Sequence, residues 1–305
     1  MEHPYILHMF TPGSQMSPFD INMAADAGYQ VLAPCCGVTL AAVTGLTQDT
    51  IFSRSPKGLA RTGIFIGGRD ALLAADMLDR AKAAMVPPFR VGLMADPSGA
   101  YTTAAAMVAC VEAALLRGGS AGGLAGRRVV VLGGTGPVGR IAGVIAAQAG
   151  AQVALSSRNG IDAAGEAAQQ TGARFGVALE GVSGGDREAV LRSIAEADVV
   201  LACAAAGVQV VDAEALAQAR ALKVAADVNA VPPSGIAGIG VMDDAVPIAG
   251  RDGAVGIGAL AIGNVKYQTQ QQLLRRLHEA ATPEVLGFAE AFAVAREHLR
   301  QRAGA

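Results

Sequence analysis

One segment restricts the folds open to this chain more than any other. It runs Val129-Val130-Val131-Leu132-Gly133-Gly134-Thr135-Gly136-Pro137-Val138-Gly139-Arg140. An apolar, β-branched run enters a glycine loop, and a helix-compatible stretch to about residue 149 leaves it. A second apolar run, residues 151–157, follows. Gly134, Thr135, Gly136, Pro137, Val138 and Gly139 fit the pattern G-x-G-x-x-G, which is weak alone and gains force between a strand and a helix. The first glycine permits the turn, the second lets a pyrophosphate approach the backbone, and the third lets the helix press on the strand. The free N–H groups and the dipole at the helix start favour phosphate. Pro137 suits the first helical position, where a donor would go unused. The competing reading is a plain βα turn in a chain with 39 glycines.

The end of the second strand selects the dinucleotide. A carboxylate there grips a ribose 2′-hydroxyl and repels a 2′-phosphate. This strand ends in Ser156 and Ser157, with Arg158 next. Two hydroxyls and a guanidinium suit a phosphate dianion. The expected cofactors are NADP and, since nothing excludes it, NAD; a solvated surface arginine is the competing reading of Arg158.

Around this unit, short β-like runs alternate with Ala-rich helical stretches, the pattern of βαβ units on a mainly parallel sheet. In the first half the expected strands are 5–10, 29–34, 62–68 and 89–95. The expected helices there run from Ser17-Pro18 to a stop at Gly28, over 71–84 and over 101–117. In the second half the expected strands are 128–133, 151–157, 173–178, 198–203, 222–228 and 254–260, and the helices 137–149, 161–171, 186–195 and 212–220. Two closing helices, from near Asn264 and from Thr282-Pro283, are expected to fold back on the first half. The Gly-rich connector 117–128 sets the boundary. Residues 1–118, joined by 265–305, form one α/β domain, and residues 119–264 form a Rossmann-type NAD(P)-binding domain. The expected class is α/β: a Rossmann-type parallel sheet plus a second α/β domain, with a cleft between them.

Composition excludes other classes. A chain of 305 residues suits two domains, and 52% hydrophobic against 16% charged residues can bury large cores. A net charge of −2 and the absence of Trp argue against nucleic acid as a partner. No apolar run reaches bilayer length, so no membrane partner is expected. The opening MEHPYILHMF lacks a basic n-region, so a cytoplasmic location is expected. Cys35, Cys36, Cys110 and Cys203 lack metal-ligand spacing and read as buried thiols, with no metal site.

His3, His8, His278 and His298 form no cluster, and no hydrolase or zinc motif is present. The chemistry must therefore do without an obvious protein base. Hydride removal from a carbon flanked by nitrogen meets that condition, because the nitrogen lone pair stabilises the cation formed. The protein then mainly aligns the two reactants.

The segments VLGGTGPVGR, DPSGAYTTAAA, TGIFIGG, AADVNAVPPSGIAGI and GALAIGNVK together resemble bacterial NAD(P)-dependent methylene-tetrahydromethanopterin dehydrogenases over nearly the whole chain. The resemblance implies a pterin substrate on the first domain and hydride transfer to NAD(P) in one-carbon oxidation. It also implies a homo-oligomer, a trimer. Lys266 and Asp20 match family positions for pterin contact. Asp96, Thr102 and Thr103 would line the cleft, Asp227 and Asn229 would end a cofactor-domain strand where ligands of such sheets collect, and Pro232 and Pro233 would stiffen the loop beneath the nicotinamide. Local readings compete: Ser17-x-x-Asp20 as a capping box, Asp96 and the threonines as turn and cap chemistry, and Lys266 as an exposed lysine in a first helical turn. Strictly NADP-dependent members carry further basic residues after the arginine. Here Asn159-Gly160-Ile161-Asp162 follows, which favours use of both dinucleotides. Three alternatives remain: a tetrahydrofolate carrier, a shikimate-type dehydrogenase using Lys57 or Lys82 with Asp70, and an NADP-binding sensor without catalysis.

Overall fold

The computed structural model describes residues 3–304. The chain divides into two compact units. One is the chain up to Thr102 with Tyr267–Val294; the other is Thr103–Lys266 with the residues from Ala295 on. In chain order the first half holds β1 (Ile6–Phe10), α1 (Pro18–Asp26), β2 (Val31–Cys35), α2 (Val43–Phe52), α3 (Pro56–Leu59), β3 (Thr62–Ile66), α4 (Ala71–Ala83), β4 (Gly92–Ala95) and α5 (Ala100–Arg117). The second half holds β5 (Arg128–Leu132), α6 (Pro137–Gln148), β6 (Gln152–Ser157), α7 (Ile161–Phe175), β7 (Glu180–Ser183), α8 (Arg187–Ile194), β8 (Val199–Ala202), α9 (Ala213–Gln218), β9 (Val224–Asp227), β10 (Asp244–Pro247) and β11 (Val255–Ile257). It closes with α10 (Ala259–Glu279), β12 (Val285–Leu286) and α11 (Phe288–Gly304).

In the first unit, among the described residues, five parallel strands form a sheet in the order β12-β4-β3-β1-β2. β3 and β4 read TGIFI and GLMA and are buried throughout, as strands covered on both faces must be. The order reverses between β1 and β3, where ligands of open parallel sheets collect beyond the carboxyl ends. The helices begin where their caps say they should. Asp70 accepts from the N–H groups of Leu72 and Leu73 at 2.9 and 3.1 Å and starts α4. Ser17 precedes Pro18 and starts α1.

In the second unit the sheet order is β10-β11-β9-β8-β5-β6-β7, parallel except for β10, which pairs antiparallel at the edge. Its parallel strands follow the 3-2-1-4-5-6 order of dinucleotide-binding sheets. Val130, Leu132, Val200, Ala202 and Ala225 pack one face against Ile194, Leu216 and Ile236. Pro97–Arg117 has the length and hydropathy of a membrane span, but it is mostly buried inside the protein and is a core helix.

Several elements depart from the sequence reading. The strand expected at 173–178 is absent. α7 runs to Phe175 and ends on Gly176, left-handed at φ 67°, and the strand comes later, at β7, whose polar residues suit an edge. β10 and β12, two short edge strands, carry no run long enough to read. Pro283 precedes β12, and the last helix starts only at Phe288. α10 starts at Ala259, five residues before the expected Asn264, because Ala259–Gly263 continue as helix. α2 was not expected at all. Cys36 is exposed. The units divide at Thr102/Thr103, inside α5, whereas the glycine-rich connector lies at 117–128. The outer part of α5 and the end of α11 both belong to the second unit, so α11 packs back on residues of the first half that the second unit has taken over. Arg296 of α11 makes a two-pronged pair with Glu112 of α5, at 2.6 and 2.5 Å.

That pair leads to a prediction. Arg296→Ala leaves the mostly buried Glu112 carboxylate without its fork. It is expected to lower stability to urea by about 2 kcal/mol, below the range for fully buried pairs because Arg296 is partly solvated. Arg296→Lys should restore only part of the loss, since an ammonium cannot reproduce the fork.

Candidate active site

Strand β5 delivers the chain to the glycine loop at the point where the second sheet reverses order, between β5 and β8. The sharp turn is made at Gly133, φ 75°, one residue before the G-x-G-x-x-G pattern. The pattern's outer glycines serve close approach. A Cβ on Gly134 would lie 2.8 Å from the Cα of Leu155 in β6, and one on Gly139 would lie 2.5 Å from the carbonyl oxygen of Gly133. The N–H of Gly134 donates to the carbonyl of Ser156 at 2.9 Å, so loop and strand are locked together. At Gly136 an added Cβ would meet only the Gly133 oxygen, at 3.4 Å, which leaves room in front of the helix start. Gly136 is the N-cap of α6 and Pro137 its first residue. Arg140 holds the loop from behind, donating to the carbonyl of Thr135 at 3.0 Å and to the hydroxyl of Thr171 at 2.8 Å.

A cavity of about 610 Å³ opens in front of this loop. Thr135, Gly136, Ser156 and Arg158 line it. Pro137, Val138 and Gly139 belong to the helix behind, and Gly134 is pressed against β6. The two serines part company. Both are buried, but Ser156 lines the cavity, whereas the Ser157 hydroxyl accepts from the N–H of Asn159 at 3.1 Å. Arg158 is exposed. The sequence reading missed the opposite wall: Gly184, Gly185, Asp186 and Arg187 after β7, and Cys203 to Ala205, Val208 to Val210 and Asp212 after β8. A signal was available in the paired glycines and capping aspartate of SGGDR. Burial pushes the Cys203 thiol up to about 12, with Asp227 adding to the shift, so it stays protonated and is no nucleophile. The fit to a dinucleotide therefore rests on a cradle whose outer glycines, Gly134 and Gly139, admit no side chain.

Asp227, Asn229 and Pro232 do not line this cavity. Asp227 accepts from the N–H groups of Asn229 and Ile236, at 2.9 and 3.1 Å. Burial raises its pKa, and those backbone bonds oppose the rise. Asn229 accepts from Gly207 and Val231 and donates to the carbonyl of Pro233. The two side chains hold the loop after β9 in shape, and Pro232 is exposed on it.

In the first unit, Asp96 and Thr102 are fully buried. Asp96 accepts from the N–H groups of Tyr101 and Thr102 at 3.0 and 3.1 Å and from the Thr102 hydroxyl at 2.7 Å. This is cap chemistry at the start of α5. Asp20 is 3% exposed and accepts from the Gln270 amide at 2.9 Å. Ser17 accepts from the Asp20 N–H at a long 3.5 Å, so the carboxylate is turned toward α10. In the second unit, Thr103 and Lys266 are half-buried. Lys266 is the eighth residue of α10 and half-buried, not an exposed lysine in its first turn. A separate cavity of about 320 Å³ between α5 and α11 contains none of these residues.

A seven-stranded sheet in Rossmann order, a glycine cradle and a cavity at its switch point define a Rossmann-type dinucleotide-binding α/β protein. Residues 18–98 match the family model described as methylene-tetrahydromethanopterin dehydrogenase, N-terminal. The chain is 51% identical over 292 residues to the NAD(P)-dependent methylenetetrahydromethanopterin dehydrogenase of Methylorubrum extorquens, covering 96% of this chain and 98% of that one. It therefore belongs to the methylene-tetrahydromethanopterin dehydrogenase family. Among solved structures it resembles ornithine carbamoyltransferase from Pyrococcus furiosus (TM-score 0.52, 12% identity, 92% of this chain and 86% of that one). It also resembles quinate dehydrogenase from Corynebacterium glutamicum in complex with NAD (TM-score 0.50, 13% identity, 96% and 98%). At such identities the likeness is one of fold.

The buried carboxylate at α5 yields a prediction. Thr102→Val removes one donor from Asp96 at constant shape and is expected to cost about 2 kcal/mol in urea unfolding, with dinucleotide affinity unchanged. An unaltered unfolding midpoint with weakened substrate binding would instead make Thr102 a ligand contact.

Proposed function

We propose that this chain oxidises methylene-tetrahydromethanopterin to the methenyl form by hydride transfer to NAD(P), in one-carbon (formaldehyde) oxidation, as a cytoplasmic homo-oligomer. The 51% identity to the M. extorquens dehydrogenase across 96% of the chain carries this reading, and the intact glycine cradle supports it. When bound, the nicotinamide supplies the hydride acceptor. The chain's own residues bind and orient. The loop at Gly136 and the N-terminus of α6 receive the pyrophosphate. Ser156 and Arg158 take the ribose 2′-substituent, a hydroxyl or a phosphate. Asp20 accepts from pterin N–H groups, and Lys266 gives the pterin a cationic contact. No residue is asked to remove a proton, because the substrate's nitrogen stabilises the cation. Asp96 in the first unit and Asp227 in the second each accept backbone N–H bonds already, in keeping with a reaction that asks no carboxylate to act as a base.

Initial rates, followed by the near-ultraviolet absorbance of reduced nicotinamide, test the reading with methylene-tetrahydromethanopterin and methylene-tetrahydrofolate, each with NAD and NADP. Turnover of the first carrier with both dinucleotides is expected. Dinucleotide binding without turnover of either carrier would mean a sensor and overturn it. Arg158→Ala is expected to raise the KM for NADP about tenfold or more, the worth of a charge-assisted hydrogen bond, and to leave that for NAD nearly unchanged. Equal effects on both would remove Arg158 from the 2′-phosphate.

A further inference from the structure

The cofactor cavity holds a second arginine that the reading above leaves without a role. Arg187, the first residue of α8, lines the same cavity as Ser156 and Arg158. The segment leading to it lies against that strand end. A Cβ on Gly184 would collide with the Ser156 hydroxyl, one on Gly185 would come 3.3 Å from the Arg158 carbonyl, and the Gly184 N–H donates to the Ser157 carbonyl at 2.8 Å. Yet Arg187 is already engaged. Its Nε donates to Asp212 at 2.7 Å and its Nη2 to Glu214 at 2.6 Å. Asp212 is fixed in turn as the cap of α9, accepting from the Ala215 N–H at 2.7 Å.

Charge counting around the cavity follows. The lining cations Arg158 and Arg187 are matched by the lining carboxylates of Asp186 and Asp212, and Glu214, on Arg187, leaves an excess negative charge. Among the described residues Arg158 makes no ion pair. A 2′-phosphate entering beside Ser156 therefore meets one unshared guanidinium and a second whose charge is cancelled. A 2′-hydroxyl is nearly indifferent to that balance. The lining carboxylates Asp186 and Asp212 are tied up as helix caps, and the wall has no surplus of positive charge to favour NADP strongly.

We propose that the Arg187–Asp212–Glu214 cluster sets the NADP-to-NAD preference of this site, with Glu214 acting as a brake on NADP by neutralising Arg187. The inference rests on the dinucleotide reading of the cavity. Glu214 is 72% exposed, and among the described residues its carboxylate bonds only Arg187, so Glu214→Gln retains the fold. Asp212 is left intact because it caps a helix.

The test is direct binding, by titration calorimetry, of NADP and NAD to the full chain without pterin. Glu214→Gln is expected to tighten NADP about threefold, the scale of an exposed ion pair, with NAD nearly unchanged, and added salt should shrink the gain. Arg187→Gln should weaken NADP more than NAD. An NADP-to-NAD affinity ratio that Glu214→Gln leaves unchanged or lowers, or that Arg187→Gln leaves unchanged, overturns the proposal while the dinucleotide site stands. Wild-type chain that binds neither nucleotide would overturn the site itself.

Discussion

The contact on which the cofactor half depends is one of repulsion avoided. The loop after β5 reaches β6 and its own helix at distances that leave no space for a methyl group, at Gly134 against Leu155 and at Gly139 against the Gly133 carbonyl. Any side chain there would force the loop off β6, break the Gly134–Ser156 backbone bond and tilt α6 away from the sheet. Because Thr135 and Gly136, just ahead of α6, line the cavity, the phosphate site proposed here follows from close packing rather than from any dedicated charged residue. The positive charge comes from elsewhere, at Arg158 and Arg187, where it can be tuned without disturbing the cradle.

This separation explains why the cradle was legible in sequence and the rest of the cavity was not. Close approach leaves glycine as the only residue that fits, so the requirement is written in one short run. The far wall is assembled from the ends of β7 and β8 and the caps of α8 and α9, which lie some fifty residues and more along the chain. Their residues satisfy local rules, glycines in a turn and aspartates at caps, and so look structural when read one at a time. The same physics hid the edge strands: β10 and β12 have four and two residues, and their partners hold them, not their propensity. The misread stretch at 173–178 is the converse case. Phe175 and Val177 favour strand locally, but the helix before them runs on until Gly176 supplies the left-handed stop.

Among the residues singled out for chemistry, burial sorts roles that residue type cannot. Asp96, Thr102, Asp227 and Asn229 are buried polar groups bonded to nearby backbone, to each other or, for Asn229, also to Gly207 across 22 residues. Desolvating such groups is tolerable only when they are fully paired, so their positions answer first to folding. Asp20 differs, since its partner Gln270 lies 250 residues away. A carboxylate held by a distant element rather than by its own turn does not serve to cap α1 alone. Sequence could name Asp20, but not the direction in which it points.

A reaction whose cation is stabilised within the substrate makes few demands on the protein's acids and bases, and this chain shows what that permits. Cys203, the thiol at the cavity, is kept neutral by burial, and the carboxylates facing it are tied to Arg187 or to helix caps. A fold free of the need for a poised base can use its charged groups for recognition, where exposed pairs worth little to stability still decide between two nucleotides that differ by a single phosphate. Pairs of that kind are easily altered without loss of fold. On the reading proposed here, cofactor preference is carried at the rim, in charges such as Glu214, while Gly134 and Gly139 of the cradle have no freedom to change.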